Sequence, residues 1–214
     1  MDTTSLTASS TPSAQSFSRL LRPDIRVGDE WLFLTRTLDD SDHRDAGLLM
    51  RSRVVALLDG GHIQIEVNNG DKTDATWLKN IYSDQFDLVS REMVPGEAVT
   101  YSPAFPQFRF PMAPGESWSE TIIQSQPEWE LHASIEVQVT VEAEESVQVP
   151  AGTFNTLRLQ GRYATPNATV ITHFWYAPTA GRAVKGIEET VAKVNASKVR
   201  VQYELQQLNR LRKV

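Results

Sequence analysis

The sequence predicts an all-β protein, a strongly curved antiparallel sheet or partial β-barrel with meander topology in its C-terminal half. Three observations point there. From Val27 onward, apolar residues recur with a period of two, the spacing of a strand with one buried face. The longest such run, Leu131 to Ala143, puts Leu131, Ala133, Ile135, Val137, Val139, Val141 and Ala143 on one face and only polar residues on the other. That one-sided alternation belongs to antiparallel sheets, because parallel strands are covered on both faces. Third, turn residues punctuate the chain at short intervals, which suggests about ten to twelve strands.

Taken in order, residues 1–22 read as a disordered leader, rich in Ser and Thr and poor in apolar side chains, and 23–214 as a single all-β domain. A length of 214 residues fits one such domain, since all-β barrels and sandwiches run to about 200–250 residues. Asp59-Gly60-Gly61 tolerates positive φ, so Arg51–Leu58 and His62–Val67 should form a hairpin. The segment Tyr101–Pro114 holds Pro103, Pro106, Pro111 and Pro114 and reads as a long loop across the surface or the sheet end. Glu144-Glu145 interrupts the long alternation and suggests a bulge. Pro150-Ala151-Gly152 turns the chain into a strand carrying Leu157, Leu159 and Tyr163. Further strands follow at Thr169–Tyr176, Arg182–Glu188 and Val199–Leu205, with connections short enough that neighbours should pair in sequence.

A four-residue echo stands out: Gly28-Asp29-Glu30-Trp31 and Gly115-Glu116-Ser117-Trp118. In each, Gly permits a turn into a strand and Trp can plug the core beside it.

Composition narrows the function classes. A net charge of −6 disfavours a nucleic-acid partner, and the terminal Arg210, Arg212 and Lys213 read as a short solvated tail. With no cysteine, the chain has neither disulfides nor thiolate chemistry. No apolar run is long enough for a membrane helix. Met1–Ser16 lacks the basic start and apolar centre of a signal peptide, which leaves a removed export signal and a cytoplasmic chain both open.

Three stretches carry a resemblance. They are Arg26–Trp31; Phe110–Trp118; and Val149–Phe154 with Phe174–Pro178 and Gly181–Lys185. Together they resemble a broad group of uncharacterised bacterial cell-envelope proteins, domains of unknown function that are often secreted or lipid-anchored. The resemblance spans roughly Arg26 to Glu188. It implies a curved antiparallel sheet and a periplasmic or otherwise extracytoplasmic location, and it supplies no catalytic residues.

Candidate chemistry is sparse. Gly115-Glu116-Ser117-Trp118 lacks the second Gly of a nucleophile elbow and leads into a strand, so Ser117 makes a poor nucleophile. His43, His62, His132 and His173 are scattered singly, so no metal and no cofactor is expected. Of these, His173 alternates with Ile171 and Trp175 and should be half-buried. Glu128 and Glu130 flank Trp129 and would share one strand face about 7 Å apart, a spacing that glycoside hydrolysis can use and that solvated sheets also show. The aromatics are the fuller signal: Phe105, Phe108 and Phe110 in the Pro-rich segment, Trp129 beyond it, and Trp175 between Phe174 and Tyr176. Three consecutive rings must occupy both faces of a strand. Either a loop covers the outer rings, or Phe105, Phe108, Phe110, Trp129 and Trp175 line an apolar groove. The expected function is a non-catalytic envelope protein that holds a lipid, another apolar ligand or a partner protein on a concave face. A structural subunit of an envelope assembly, or a hydrolase using Glu128 and Glu130, is the alternative.

Overall fold

The computed structural model describes residues 19–38, 46–69 and 77–210. Within them, twelve strands form one closed barrel: β1 Glu30–Leu38, β2 Leu48–Leu57, β3 Ile63–Asn69, β4 Leu78–Tyr82, β5 Leu88–Val94, β6 Glu97–Phe105, β7 Ser117–Gln126, β8 Leu131–Val149, β9 Gly152–Ala164, β10 Ala168–Ala177, β11 Arg182–Ala192 and β12 Lys198–Asn209. Each strand pairs antiparallel with its sequence neighbours, and β1 pairs with β12 to close the ring. The expected curved sheet is therefore complete, and its meander runs the whole way round. Closure removes the unpaired edges that an open sheet of this size would present.

The alternation decides which face is which. On β8, Ile135, Val137, Val139 and Val141 are buried in the barrel, while Glu136, Gln138 and Thr140 are exposed outside. A lipid-embedded barrel shows the reverse, apolar outward and polar inward. No helix among the described residues is long and apolar enough to cross a membrane.

Several expectations shift in detail. The hairpin is present as β2 and β3, joined through Asp59–Gly61 with Gly60 and Gly61 at positive φ. The bulge in β8 falls between Val141 and Ala143, just before the predicted Glu144-Glu145, because the outward Glu142 drops out of the β9 register. Tyr101–Phe105 is not loop: it belongs to β6. Pro103 fits there because the β6–β7 ladder ends at Ser102, so its missing N–H costs no ladder bond on that side. The loop proper is 106–116. Of the predicted leader, 1–18 lies outside the described residues, whereas Leu20 is buried and exchanges backbone hydrogen bonds with Met112 (2.8 and 2.9 Å). Arg210 is not a solvated tail, since its side chain is only 13% exposed and pairs with Asp29 at 3.3 Å. Arg212 and Lys213 lie outside the described residues.

The two ends of the barrel differ. Residues 19–29, the 106–116 loop and the turn between β10 and β11 gather at one end. There Trp31, Met112, Tyr176 and Leu205 are fully buried and fill the interior. At the other end lie the turns β5–β6, β7–β8, β9–β10 and β11–β12.

Candidate ligand cavity

Above the filled end the interior is hollow. A partly open cavity of about 490 Å³ is walled by side chains from all round the barrel. Its floor is aromatic. Phe108 reaches in from the 106–116 loop and packs against Phe174 (5.6 Å between ring centroids), Phe86 (6.2 Å) and Tyr176 (5.0 Å). The loop is fastened by the Trp118 indole, whose N–H donates to the Pro106 carbonyl at 2.9 Å. That anchor holds a segment of three prolines and two phenylalanines against the barrel end.

The walls carry phenols as well as apolar groups. Phe105 packs edge-on against Tyr163 (4.8 Å) and Tyr101 (5.7 Å), and Phe33 packs edge-on against Tyr203 (5.7 Å). Two glycines make this possible. A Cβ on Gly186 would lie 2.2 Å from Cζ of Tyr203, and one on Gly161 would lie 2.5 Å from the Tyr163 hydroxyl. Each tyrosine thus lies flat over a strand where no side chain obstructs it. Burial pushes the Tyr163 hydroxyl up to about 12, partly opposed by the hydrogen bond from Thr172. Burial likewise raises Tyr203 and Tyr101. All three remain protonated hydroxyls across the physiological range.

Three charged residues of the strands reach the cavity: Arg91, Arg182 and Glu188. Arg91 and Glu188 are exposed to water. Arg182, at the start of β11, lies at the floor end. Its guanidinium carbon is 5.1 Å from the Trp31 ring centroid and 5.6 Å from that of Phe33.

The five aromatics singled out from sequence separate into four places. Phe105 and Phe108 line the cavity. Phe110 sits beneath it, against Phe108 and Tyr176. Trp175 faces outward, half-buried: its indole N–H donates to Glu145 and Lys185 Nζ lies 5.5 Å from its ring centroid. An odd position between the inward Phe174 and Tyr176 has no other choice. Trp129 is 70% exposed, in the β7–β8 turn at the open end. Most other exposed large apolar side chains among the described residues share that end: Leu48, Met93, Val94, Leu131, Val194 and Val199.

Glu128 and Glu130 do not share a strand face. Pro127–Trp129 forms a 3-10 turn and Glu130 is left-handed (φ 49°), so both acids stand in an exposed turn rather than across a cleft. Pro127 at the first position, with no N–H to give a ladder, is what diverts the chain. His173 is half-buried on the outer face, 3.8 Å from Glu142. Sequence reasoning missed Arg182, Tyr163 and Tyr203 as site residues. The usable signal was Gly161 and Gly186 at inward positions of otherwise apolar strands, each leaving room for a neighbouring ring.

No protein-family model matches the chain, and no curated protein matches its sequence. Solved structures do share its form. A candidate exported protein with a YmcC-like fold from Bacteroides fragilis NCTC 9343 is 16% identical, with a TM-score of 0.51 over 90% of this chain and 100% of that one. A candidate lipoprotein from Parabacteroides distasonis ATCC 8503 is 14% identical, with a TM-score of 0.52 over 89% and 99%. At such identities the likeness is one of fold: this chain is built like those barrels.

Proposed function

We propose that the chain is a non-catalytic ligand-holding barrel of the bacterial cell envelope, taking one small molecule with an apolar body into its interior. The observation that carries this is the aromatic-walled hollow of about 490 Å³ inside an otherwise closed barrel. Its size falls within the roughly 300–1,000 Å³ of small-molecule sites, and barrel mouths are a recurrent place for them. A barrel with no ligand to hold would gain by filling such a space with side chains, as this one does at its other end. The envelope location rests on the resemblance of Arg26–Glu188 and on the described nature of the fold neighbours.

The neutral fluorophore N-phenyl-1-naphthylamine tests the reading. Its emission should rise saturably at one molecule per chain, and Thr35→Trp, which projects a ring into the cavity, should abolish the rise while leaving the folded spectrum intact. No saturable rise, or a rise that T35W leaves unchanged, would remove the ligand reading. For location, antibody against the chain should find it in the envelope fraction of the source cells; recovery in the cytosol alone would contradict this.

A second reading has one observation in its favour. The apolar side chains around the open end, Trp129 foremost, suit an accessory subunit that docks a protein partner there. T35W would leave such docking intact, whereas Trp129→Ser would weaken it.

A further inference from the structure

We infer that the molecule held is an anionic amphiphile, bound with its carboxylate or phosphate group at the floor on Arg182 and its apolar body directed toward the open end. This rests on the ligand-holding reading and specifies the class of ligand. The starting point is an unbalanced charge. Arg182 Nη1 is shielded from water and has no hydrogen-bond partner, and no carboxylate lies within ion-pair distance of this guanidinium among the described residues. Its neighbours are the faces of Trp31 and Phe33. Ring faces attract a cation, but they cannot accept five N–H donors in a planar fork.

An unpartnered buried donor costs about 1–3 kcal/mol, and more when charged. Arginines elsewhere in this protein are matched: Arg158 with Glu142 at 2.7 Å, Arg53 with Glu66 at 2.9 Å and Arg210 with Asp29 at 3.3 Å. Among the described residues Arg182 is the one arginine with a buried nitrogen that lacks a partner, and it lies at the cavity floor. A guanidinium lying over two ring faces, with no carboxylate against it among the described residues, is prepared for a two-oxygen anion.

The other charges set the direction. Glu188 lies six residues further along β11, about 20 Å of strand toward the mouth, and is exposed. An anionic head near the mouth would meet the Glu188 carboxylate as well as the water-exposed Arg91, whereas a head at the floor meets Arg182 with no carboxylate within ion-pair distance among the described residues. The Tyr203 hydroxyl, kept protonated by burial, lies against Gly186, between Arg182 and Glu188 along β11, and is a further donor on that wall. The body then occupies the space between Phe33, Phe105 and Tyr101, and its far end meets the apolar rim.

The test is competition against bound N-phenyl-1-naphthylamine by three probes of one chain length: dodecanoate, dodecyl phosphate and dodecanol. In the unaltered protein, at least one of the two anions should displace the fluorophore at about one-tenth the concentration that dodecanol needs, or less. Which anion does so distinguishes a carboxylate from a phosphate head. Arg182→Met should bring the three probes to parity while the fluorophore still binds. Dodecanol competing as well as both anions in the unaltered protein overturns the charge assignment and leaves the cavity reading standing. An anion preference that persists in R182M overturns it equally. No fluorophore binding at all removes the cavity reading itself. Should R182M not fold, the ratio in the unaltered protein still decides.

Discussion

Two corners of the barrel, six strands apart on opposite walls, are built alike on one four-residue pattern of Gly, an acid, any residue and Trp. At the start of β1, the Gly28 amide donates to Val54 (2.9 Å), whose own amide donates to the Asp29 carbonyl (2.9 Å). At the start of β7, the Gly115 amide donates to Val141 (2.8 Å), whose amide donates to the Glu116 carbonyl (2.9 Å). In both, the acid's side chain accepts an amide three residues back, from Arg26 at 3.2 Å and from Ala113 at 3.0 Å. Both glycines have positive φ, and both indoles reach across to a loop carbonyl. The difference lies in depth. Trp31 and Asp29 are wholly buried and Asp29 pairs with Arg210, whereas Trp118 is 8% exposed and Glu116 meets Arg19 at the surface. One motif therefore serves as a sealed plug on one wall and as a loop fastener on the other. The surroundings set its energetic weight.

The largest test breaks each plug. Trp31→Ala should cost about 4–5 kcal/mol and Trp118→Ala about 3 kcal/mol, because the first leaves a closed void and the second one that water and the loop can enter. Urea midpoints measure both; equal losses, or the reverse order, would refute the difference in depth. W118A should also release the 106–116 loop and with it the Phe108 floor, so fluorophore affinity should fall further than its stability loss suggests.

Next come the ion pairs. Arg210→Met should cost about 2–3 kcal/mol, since Arg210 also donates to the Asp24, Pro178 and Thr179 carbonyls and ties the N-terminal segment to the β10–β11 turn. If unfolding experiments show R210M as stable as the parent, the sealed corner is not held by this pair.

A third acid beside the second corner sharpens the contrast. Asp87 lies against the 106–116 loop with Oδ1 unpartnered, and burial pushes its carboxyl up to about 7, partly opposed by the Phe108 amide and by Arg109. The folded chain thus binds this proton more tightly than the unfolded one, where the value is about 3.9. Its stabilising contribution is complete below about pH 4 and is lost as pH rises through 7. Asp87→Asn should therefore match the parent near pH 4 and exceed it at pH 8 by on the order of 1 kcal/mol. Identical pH slopes for the two proteins would contradict this. The smallest effect is expected at the open corner: Arg19→Met should change stability by less than about 0.5 kcal/mol, as exposed pairs do, given side chains 58% and 37% exposed.

Much of the fold could be read without coordinates, and the reason is local. Period-two alternation on β8 to β12 follows from strand geometry, and short Gly- and Pro-bearing turns leave sequence neighbours little choice but to pair. Where the reading failed, local chemistry was overruled or was ambiguous. Prolines made Tyr101–Phe105 look like loop, yet Pro103 stands where one ladder has already ended. Glu128 and Glu130 read as strand acids because alternation continues through them, but Pro127 turns the chain first.

The sequence alone determined the strand class, the antiparallel pairing of neighbours and the two Trp corners, all set by residues within one turn or hairpin. Tertiary structure decided closure of the ring, the hollow and the charge within it. The β1–β12 pairing joins the two chain ends and leaves no local trace. An apolar strand face looks the same whether it meets a filled core or a cavity. Whether Arg182 finds a partner depends on what the neighbouring strands bring against it, and β1 brings the rings of Trp31 and Phe33.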